Sequence, residues 1–205
     1  MSLLALFSAQ ADRNPVPPAV ENIIQHQFPV GRAELQAVTE ALFTEYQQQK
    51  NITSLVFYAY GTLKLAAQLA AENNVIGAAE YARSGFFWLD EAAERNENEP
   101  RVRYLRARID AFLPATAGRC VIALSDTQFI LNSAQTFPDA LRSKVKYMRY
   151  RALVSCGQAA QATALLSQIK QESPQLSALA LAPVAAPEWD ISEFMQIVRP
   201  LAEGK

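Results

Sequence analysis

The stretch that decides the fold is GQAAQATALLSQIKQESP, residues 157–174. A glycine opens it and a proline closes it, and both residue types commonly stand at helix borders. Between them Ala162, Leu166 and Ile169 recur at helical spacing, which marks one face of an α-helix. The pattern predicts a helix that packs this face on a preceding helix, as in a helical hairpin.

Similar segments follow one another along most of the chain. Helix-breaking residues fall near positions 51, 74, 98, 115, 138, 157 and 174. The regular intervals predict helices of similar length joined by short turns, so consecutive helices should be antiparallel neighbours. Residues 55–60 are apolar on every side, which predicts that their helix is central.

Several polar residues are typical helix caps. Asn51 or the Thr53-Ser54 pair can begin one helix, Asn74 the next, and Asp190 a last helix before Pro200.

Composition favours an all-α chain. Half of the 205 residues are hydrophobic, only seven are glycine, and no segment shows the strict alternation of a strand. We predict one helical-repeat domain over residues 1–205. It comprises N-terminal helices and a Pro-rich linker (1–31), stacked hairpins (32–174), and an extended strap with a C-terminal helix (175–205).

The overall charge of −1 hides an uneven distribution. Residues 1–99 carry six basic and twelve acidic side chains, whereas residues 100–174 carry eleven basic and four acidic ones. Two explanations are open. The two regions attract each other within the fold or simply face solvent, or the basic region binds an acidic partner. An acidic peptide is favoured over nucleic acid because the whole chain is not basic.

Two cysteines flank the predicted turn at Phe137-Pro138. Cys120 lies 17 residues before Phe137 and Cys156 lies 19 after it, so an antiparallel helix pair would bring both to the same end. A disulfide requires Cα atoms within about 7 Å. Two buried thiols are the alternative, and the spacing leaves both open.

Residues 143–174 resemble a tetratricopeptide repeat. Gly157, Ala162, Leu166, Ile169 and Pro174 stand where that pattern has its second-helix glycine, alanine, two apolar residues and closing proline. A looser match runs from Asn74 through Ala79 and Phe86 to Pro100, and the first-helix Trp-Leu-Gly portion is missing from both. The resemblance implies stacked helical hairpins that form a scaffold or adaptor with a peptide-binding concave groove.

In that architecture the first helices of the hairpins line the groove. Two basic stripes on predicted first helices would then face one ligand, an acidic or amphipathic segment. The candidate partner-binding residues are Arg101, Tyr104, Arg108, Arg142, Lys146, Tyr147, Arg149 and Tyr150. Nucleic acid at the same basic face and self-association into a larger assembly remain alternatives.

No catalytic, cofactor or metal signature is found in the sequence. His26 is the only histidine and has no patterned nucleophile, and the glycines form no phosphate-binding loop. Asp90, Glu91 and Glu94 could bind a hard cation or act as a catalytic acid and base, but a solvated helix face explains them better. We therefore expect a non-enzymatic protein with no cofactor, metal or membrane span.

We expect a cytoplasmic location. Residues 3–11 are predicted to form a short docked helix, because they lack the positive start and long apolar run of a signal peptide. Were the natural chain longer upstream, the same residues could end a signal peptide, and the protein would be periplasmic or secreted.

Overall fold

The computed structural model describes residues 15–133, 137–172, 174, 186 and 188–205. Within these ranges the chain is helical and contains no strand. The helix predicted at residues 3–11 and most of the predicted strap lie outside the described residues.

In the described ranges, eight helices follow in order before the C-terminal region. They are α1 (Pro18–His26), α2 (Arg32–Gln49), α3 (Ile52–Ala71), α4 (Val75–Arg95), α5 (Pro100–Asp110), α6 (Cys120–Asn132), α7 (Asp139–Ser155) and α8 (Ala159–Glu172). The C-terminal region begins with α9 (Ile191–Glu193), continues through a π-helical stretch (Phe194–Val198) and ends with α10 (Arg199–Ala202).

The helix borders agree closely with the predicted breaks. Asn51 accepts hydrogen bonds from the amides of Thr53 and Ser54, and Asn74 accepts one from Gly77. Asp190 caps α9 in a capping box with Glu193, so both side chains satisfy amides at the helix start. One border differs. After the break predicted near position 115 the next helix begins only at Cys120, because a short 3₁₀ turn and a left-handed Gly118 (φ +68°) precede it.

Helix α3 is the centre of the N-terminal half. Leu55, Val56 and Phe57 are fully buried, as their apolar surroundings in the sequence predicted. Helices α2 and α4 both pack on α3, and two glycines permit the close approach. A Cβ atom at Gly61 would lie 2.2 Å from Thr39 Oγ1, and one at Gly85 would lie 2.6 Å from Leu63 Cγ.

In the C-terminal half each helix packs on the next one in the sequence. Helix α5 packs on α6, α6 on α7 and α7 on α8, while α5 also contacts α7. Cys120 at the start of α6 and Cys156 at the end of α7 form a disulfide with Cα atoms 5.6 Å apart. The sequence left open whether the cysteines form a disulfide or two buried thiols, and in the structure they form the disulfide.

The C-terminal region returns to the middle of the fold. The π-helical stretch packs on α5 and α10 packs on α3. Ile197 and Val198 are completely buried, and Asn51 Nδ2 donates a hydrogen bond to the carbonyl of Ala202. These contacts place the C-terminal region beside residues that are up to 151 positions earlier in the chain.

Candidate functional site

An acidic side chain of the C-terminal segment, residues 188–205, is held between α5 and α7. Tyr104 Oη and Arg108 Nε, both on α5, each donate a 2.8 Å hydrogen bond to Glu193 Oε1. Lys144 Nζ on α7 donates to the other oxygen, Oε2, at 3.0 Å. Glu193 is only 2% exposed, so these donors replace the water that a buried carboxylate has lost.

The residues around Glu193 extend the same contact. The Arg108 guanidinium carbon lies 3.8 Å from the ring centroid of Trp189, a cation–π distance. Lys144 also donates to Asp190. Burial raises the pKa of Asp190, but hydrogen bonds from Lys144 and Ser192 outweigh it and lower that pKa to about 2. Asp190 is therefore ionised at neutral pH, as the ion pair requires.

The helices that contact this segment form a continuous surface, which we call the inner face. On α7, Lys144, Tyr147, Met148 and Arg151 lie three, four and seven residues apart and so share one side of the helix. Phe112 follows the end of α5 and meets Tyr147 with ring centroids 5.8 Å apart. The full set is Tyr60 and Lys64 on α3, Tyr104, Arg108 and Phe112 on or just after α5, and Lys144, Tyr147, Met148 and Arg151 on α7.

A concavity opens on the inner face beside Trp189. Its volume is about 280 Å³, and its walls are mainly apolar. Lys64 and Arg108 supply its cationic groups, and Tyr60, Phe112 and Trp189 supply aromatic rings. Burial and the neighbouring Arg108 charge lower the pKa of Lys64. This space can accept an apolar or aromatic group next to an anion.

The predicted site residues on α5 do contact an acidic segment, which belongs to the same chain. Tyr104 and Arg108 bind Glu193 as described. Arg101 donates from Nη1 to the carbonyl of Lys205 at 2.9 Å and from Nε to that of Gln196 at 3.4 Å. All three therefore face the C-terminal segment.

The predicted residues on α7 are divided between two sides of that helix. Lys146 pairs with Glu172 on α8 at 2.5 Å, and Arg149 donates to the carbonyl of Leu124 on α6 at 2.9 Å. Half-buried Arg142 lies one turn before Lys146 on the same side. The expectation that both basic stripes face one groove is wrong for this side of α7, because the side towards α5 carries Lys144 instead.

The two predicted tyrosines of α7 adjoin each other. Tyr147 is buried on the inner face, and the ring of half-buried Tyr150 stacks on it with centroids 6.2 Å apart. Tyr150 also lines a shallow groove between α7 and α8, on the outer surface. Only Tyr147 can therefore contact a ligand of the inner face.

A second charged region connects α4, α5 and α6. Arg106 makes a bidentate contact with Asp126 at 2.7 and 2.9 Å, and Arg103 adds a 2.8 Å hydrogen bond to the same carboxylate. Arg119 binds Asp90 with two hydrogen bonds and Asp110 with two more, all between 2.7 and 2.9 Å. We call Asp90, Arg103, Arg106, Asp110, Arg119 and Asp126 the interhelical network.

The interhelical network is electrically balanced and largely buried. Asp110 and Asp126 have no exposed surface. Burial raises the pKa of Asp110 to about 7, while the hydrogen bonds from Arg119 limit the rise. Asp90 therefore belongs to this network and does not lie on the solvated helix face that the sequence suggested. Glu94, four residues later, is exposed as expected.

Another groove lies between α2 and α4 on the opposite part of the fold. It has a volume of about 300 Å³ and is lined by hydroxyl groups and two carboxylates, Glu40 and Glu80. Within the described ranges no cluster of three metal-binding side chains occurs. No helix there is long and apolar enough to cross a membrane.

Comparisons with known proteins do not extend this description: no family model, curated protein or solved structure matches the chain.

The sequence analysis missed most residues of the site, among them the charged and aromatic residues Lys144, Arg151, Trp189 and Glu193. The spacing of Lys144, Tyr147 and Arg151 on one side of α7 is as regular as that of Arg142, Lys146 and Arg149, so charge alone could not choose between the two sides. Asp190 was recognised as a helix cap. The capping-box partner at Glu193 was a readable signal, but its contacts with α5 span 85 and 89 residues.

Proposed function

We propose that this chain is a non-enzymatic interaction module that holds an acidic peptide segment on its inner face. The observation that supports it is the binding of Glu193, a nearly inaccessible carboxylate that receives donors from Tyr104, Arg108 and Lys144. Charge-assisted hydrogen bonds of this kind are both strong and directional. A surface that satisfies one acidic segment has the chemistry to recognise another.

The proposal includes a stacked arrangement of three hairpins, α3–α4, α5–α6 and α7–α8, as in a short tetratricopeptide-like solenoid. In such a stack the first helix of each hairpin lines one common face. Two observations support this reading. Helix α5 contacts both α3 and α7, and the inner face consists of residues on or just after these three first helices. The C-terminal segment then occupies part of the groove in which relatives of that architecture hold peptides.

The C-terminal segment suggests the chemistry of the partner. It presents an aromatic ring followed directly by one carboxylate and, three residues later, by a second carboxylate and another aromatic ring: Trp189, Asp190, Glu193 and Phe194. The rings of Trp189 and Phe194 stack with centroids 5.2 Å apart. A partner segment with carboxylates beside aromatic residues suits the remaining inner face in the same way.

Fluorescence anisotropy with the full chain tests the proposal. The probe is a labelled peptide with the sequence of residues 188–194, EWDISEF, and its control is the same peptide with amides in place of the three side-chain carboxylates and of the C-terminal carboxylate. We expect the acidic peptide to bind, the control to bind at least about tenfold more weakly, and added salt to weaken the acidic peptide. Equal binding of both peptides, or binding of neither, would overturn the proposed function.

The nucleic-acid alternative has less charge available than the sequence suggested. Arg103, Arg106 and Arg119 are paired with aspartates, and Arg108 and Lys144 with the C-terminal segment. The self-association alternative stays a prediction. Exposed apolar residues on α4 are its basis, including Ile76 and Phe87 at 77% and 57% exposure, and light scattering at two concentrations tests it.

We propose an oxidising compartment as the location, in place of the cytoplasm expected from the sequence. Disulfides persist in secreted and periplasmic proteins and are rare in the cytosol. The pairing of Cys120 with Cys156 is the support for this change. Thiol labelling of protein from its native source, before and after reduction, would show whether the pair is oxidised there.

A further inference from the structure

Two cations of the inner face have no counter-charge in the described part of the chain, in contrast to their neighbours. Arg108 and Lys144 are neutralised by Glu193 and Asp190. Among the described residues, Lys64 and Arg151 form no ion pair and donate no hydrogen bond, although Lys64 lies 5.7 Å from the ring centroid of Phe28. The inner face therefore keeps an unbalanced positive charge.

Arg151 is the more informative of the two because it is buried. The residue is 9% exposed, and its Nε has neither solvent contact nor a hydrogen-bond acceptor in the described parts of the chain. The buried Nε–H has lost water and has gained no acceptor, which costs free energy of folding. The two terminal nitrogens of the guanidinium keep contact with solvent, so they can meet an acceptor that a partner supplies.

Arg151 lies on the inner face near the end of α5. It stands one turn after Tyr147, whose ring meets Phe112. One turn further on, Ser155 Oγ donates a 3.1 Å hydrogen bond to the carbonyl of Leu113. Phe112 and Leu113 also line the 280 Å³ concavity that contains Lys64. Lys64 thus shares the concavity with Phe112 and Leu113, and Arg151 lies on α7 between the two residues that contact them, Tyr147 and Ser155.

We infer that Arg151 binds a carboxylate of a partner peptide at this end of the inner face, with Lys64 adding attraction. The inference rests on the proposed function and specifies the site for it. The planar guanidinium fits a carboxylate through two parallel N–H donors. The concavity beside Trp189 and Phe112 would accept an apolar or aromatic side chain next to that carboxylate. The C-terminal segment of the chain itself stays in place, because its Glu193 uses other donors.

Anisotropy with the labelled EWDISEF peptide tests this site in the full chain. Arg151→Gln should weaken binding by roughly ten- to a hundredfold, since a charge-assisted hydrogen bond is removed. Arg151→Lys keeps the charge without the planar fork and should lose less. Lys64→Gln should cause a smaller loss. The control, Lys170→Gln on the exposed side of α8, should leave binding unchanged.

Different results separate the two proposals. If the wild type binds the acidic peptide and Arg151→Gln binds it equally well, the Arg151 site is wrong and the proposed function stands. If the wild type does not distinguish the acidic from the amide peptide, the proposed function fails first. Melting curves of each variant show whether it is folded at the temperature of the titration.

A readout on the wild type removes the dependence on folded variants. The Nε–H resonance of Arg151 should shift on titration with the acidic peptide and stay in place with the amide peptide. An unchanged resonance at saturating acidic peptide would overturn the inference. Two further peptides identify the carboxylate: one has acidic side chains and an amidated C-terminus, and the other has neutral side chains and a free C-terminus. The carboxylate source is whichever of the two reproduces the shift.

Discussion

The interhelical network and the inner face contain the same residue types but treat charge in opposite ways. In the network three arginines meet three aspartates, and each aspartate accepts hydrogen bonds from at least one guanidinium. On the inner face Arg108 and Lys144 pair with the C-terminal segment, and the Nε of Arg151 is buried with no acceptor among the residues that the structure describes. The paired charges of the network explain how α4, α5 and α6 are held together. The cations of the inner face that lack a partner in the described segments support our proposal that a ligand binds there.

The comparison predicts that breaking the network has the largest effect on stability. Asp126→Asn leaves Arg103 and Arg106 with weakened partners at a position that has no solvent contact. The expected loss is about 3–5 kcal/mol of the free energy of unfolding. Urea denaturation measures it, with Glu94→Gln on the exposed side of α4 as the matched control. A loss no larger than that of the control would show that the network is not structural.

Removing the disulfide should have the next largest effect. Cys120 directly follows Arg119 of the interhelical network. Cys156 directly follows α7, which contributes residues to the inner face. Replacing both cysteines with serine should lower the free energy of unfolding by about 2–4 kcal/mol, because the unfolded chain is no longer constrained. Reductant should destabilise the wild type to a similar extent and leave the double variant unaffected. An equal response of both proteins to reductant would contradict the pairing.

Stability should also depend on pH through Asp110. Its pKa is about 7 in the folded chain and near 4 when unfolded, so the folded state binds the proton more tightly. The stabilisation is present at low pH and is lost as pH rises through 7, by on the order of 2 kcal/mol between pH 5 and 8. Asp110→Asn should flatten this dependence. Urea denaturation of both proteins at pH 5 and pH 8 measures this dependence.

The smallest expected effect separates the two regions most sharply. Arg151→Met removes a buried charge that has no acceptor among the described residues, so it should raise the free energy of unfolding by up to about 1 kcal/mol. Arg106→Met removes a paired charge and should lower it by several times that amount. Thermal denaturation of both variants at one pH gives the comparison. A destabilised Arg151→Met protein would mean that Arg151 has a structural role.

The sequence predicts the helices of this chain well and their charged contacts poorly. Asn51, Asn74 and Asp190 act within four residues of their own position, so local rules suffice to identify them as caps. The pairing of Arg106 with Asp126, or of Arg108 with Glu193, depends on which sides of distant helices meet. Arg103 and Arg106 lie three residues apart and so share a side of α5, but nothing in this spacing indicates Asp126 as their common acceptor.

The same limit explains the error on α7. Arg142, Lys146 and Arg149 form a regular basic stripe, and so do Lys144 and Arg151 with Tyr147 between them. Only the packing of α7 between α6, α8 and α5 determines which stripe faces the C-terminal segment. The cysteine spacing was compatible with a disulfide for a related reason, since antiparallel packing of α6 and α7 was predicted but their separation was not.

Chemical-shift mapping of the full chain with the acidic EWDISEF peptide tests the central claim most directly. We predict that the perturbed amides and side chains cluster on α3, α5 and α7, around Lys64, Phe112, Tyr147 and Arg151, and that the amide peptide perturbs none of them. Perturbations confined to the groove between α2 and α4, or spread evenly over the surface, would contradict an acidic-peptide site on the inner face.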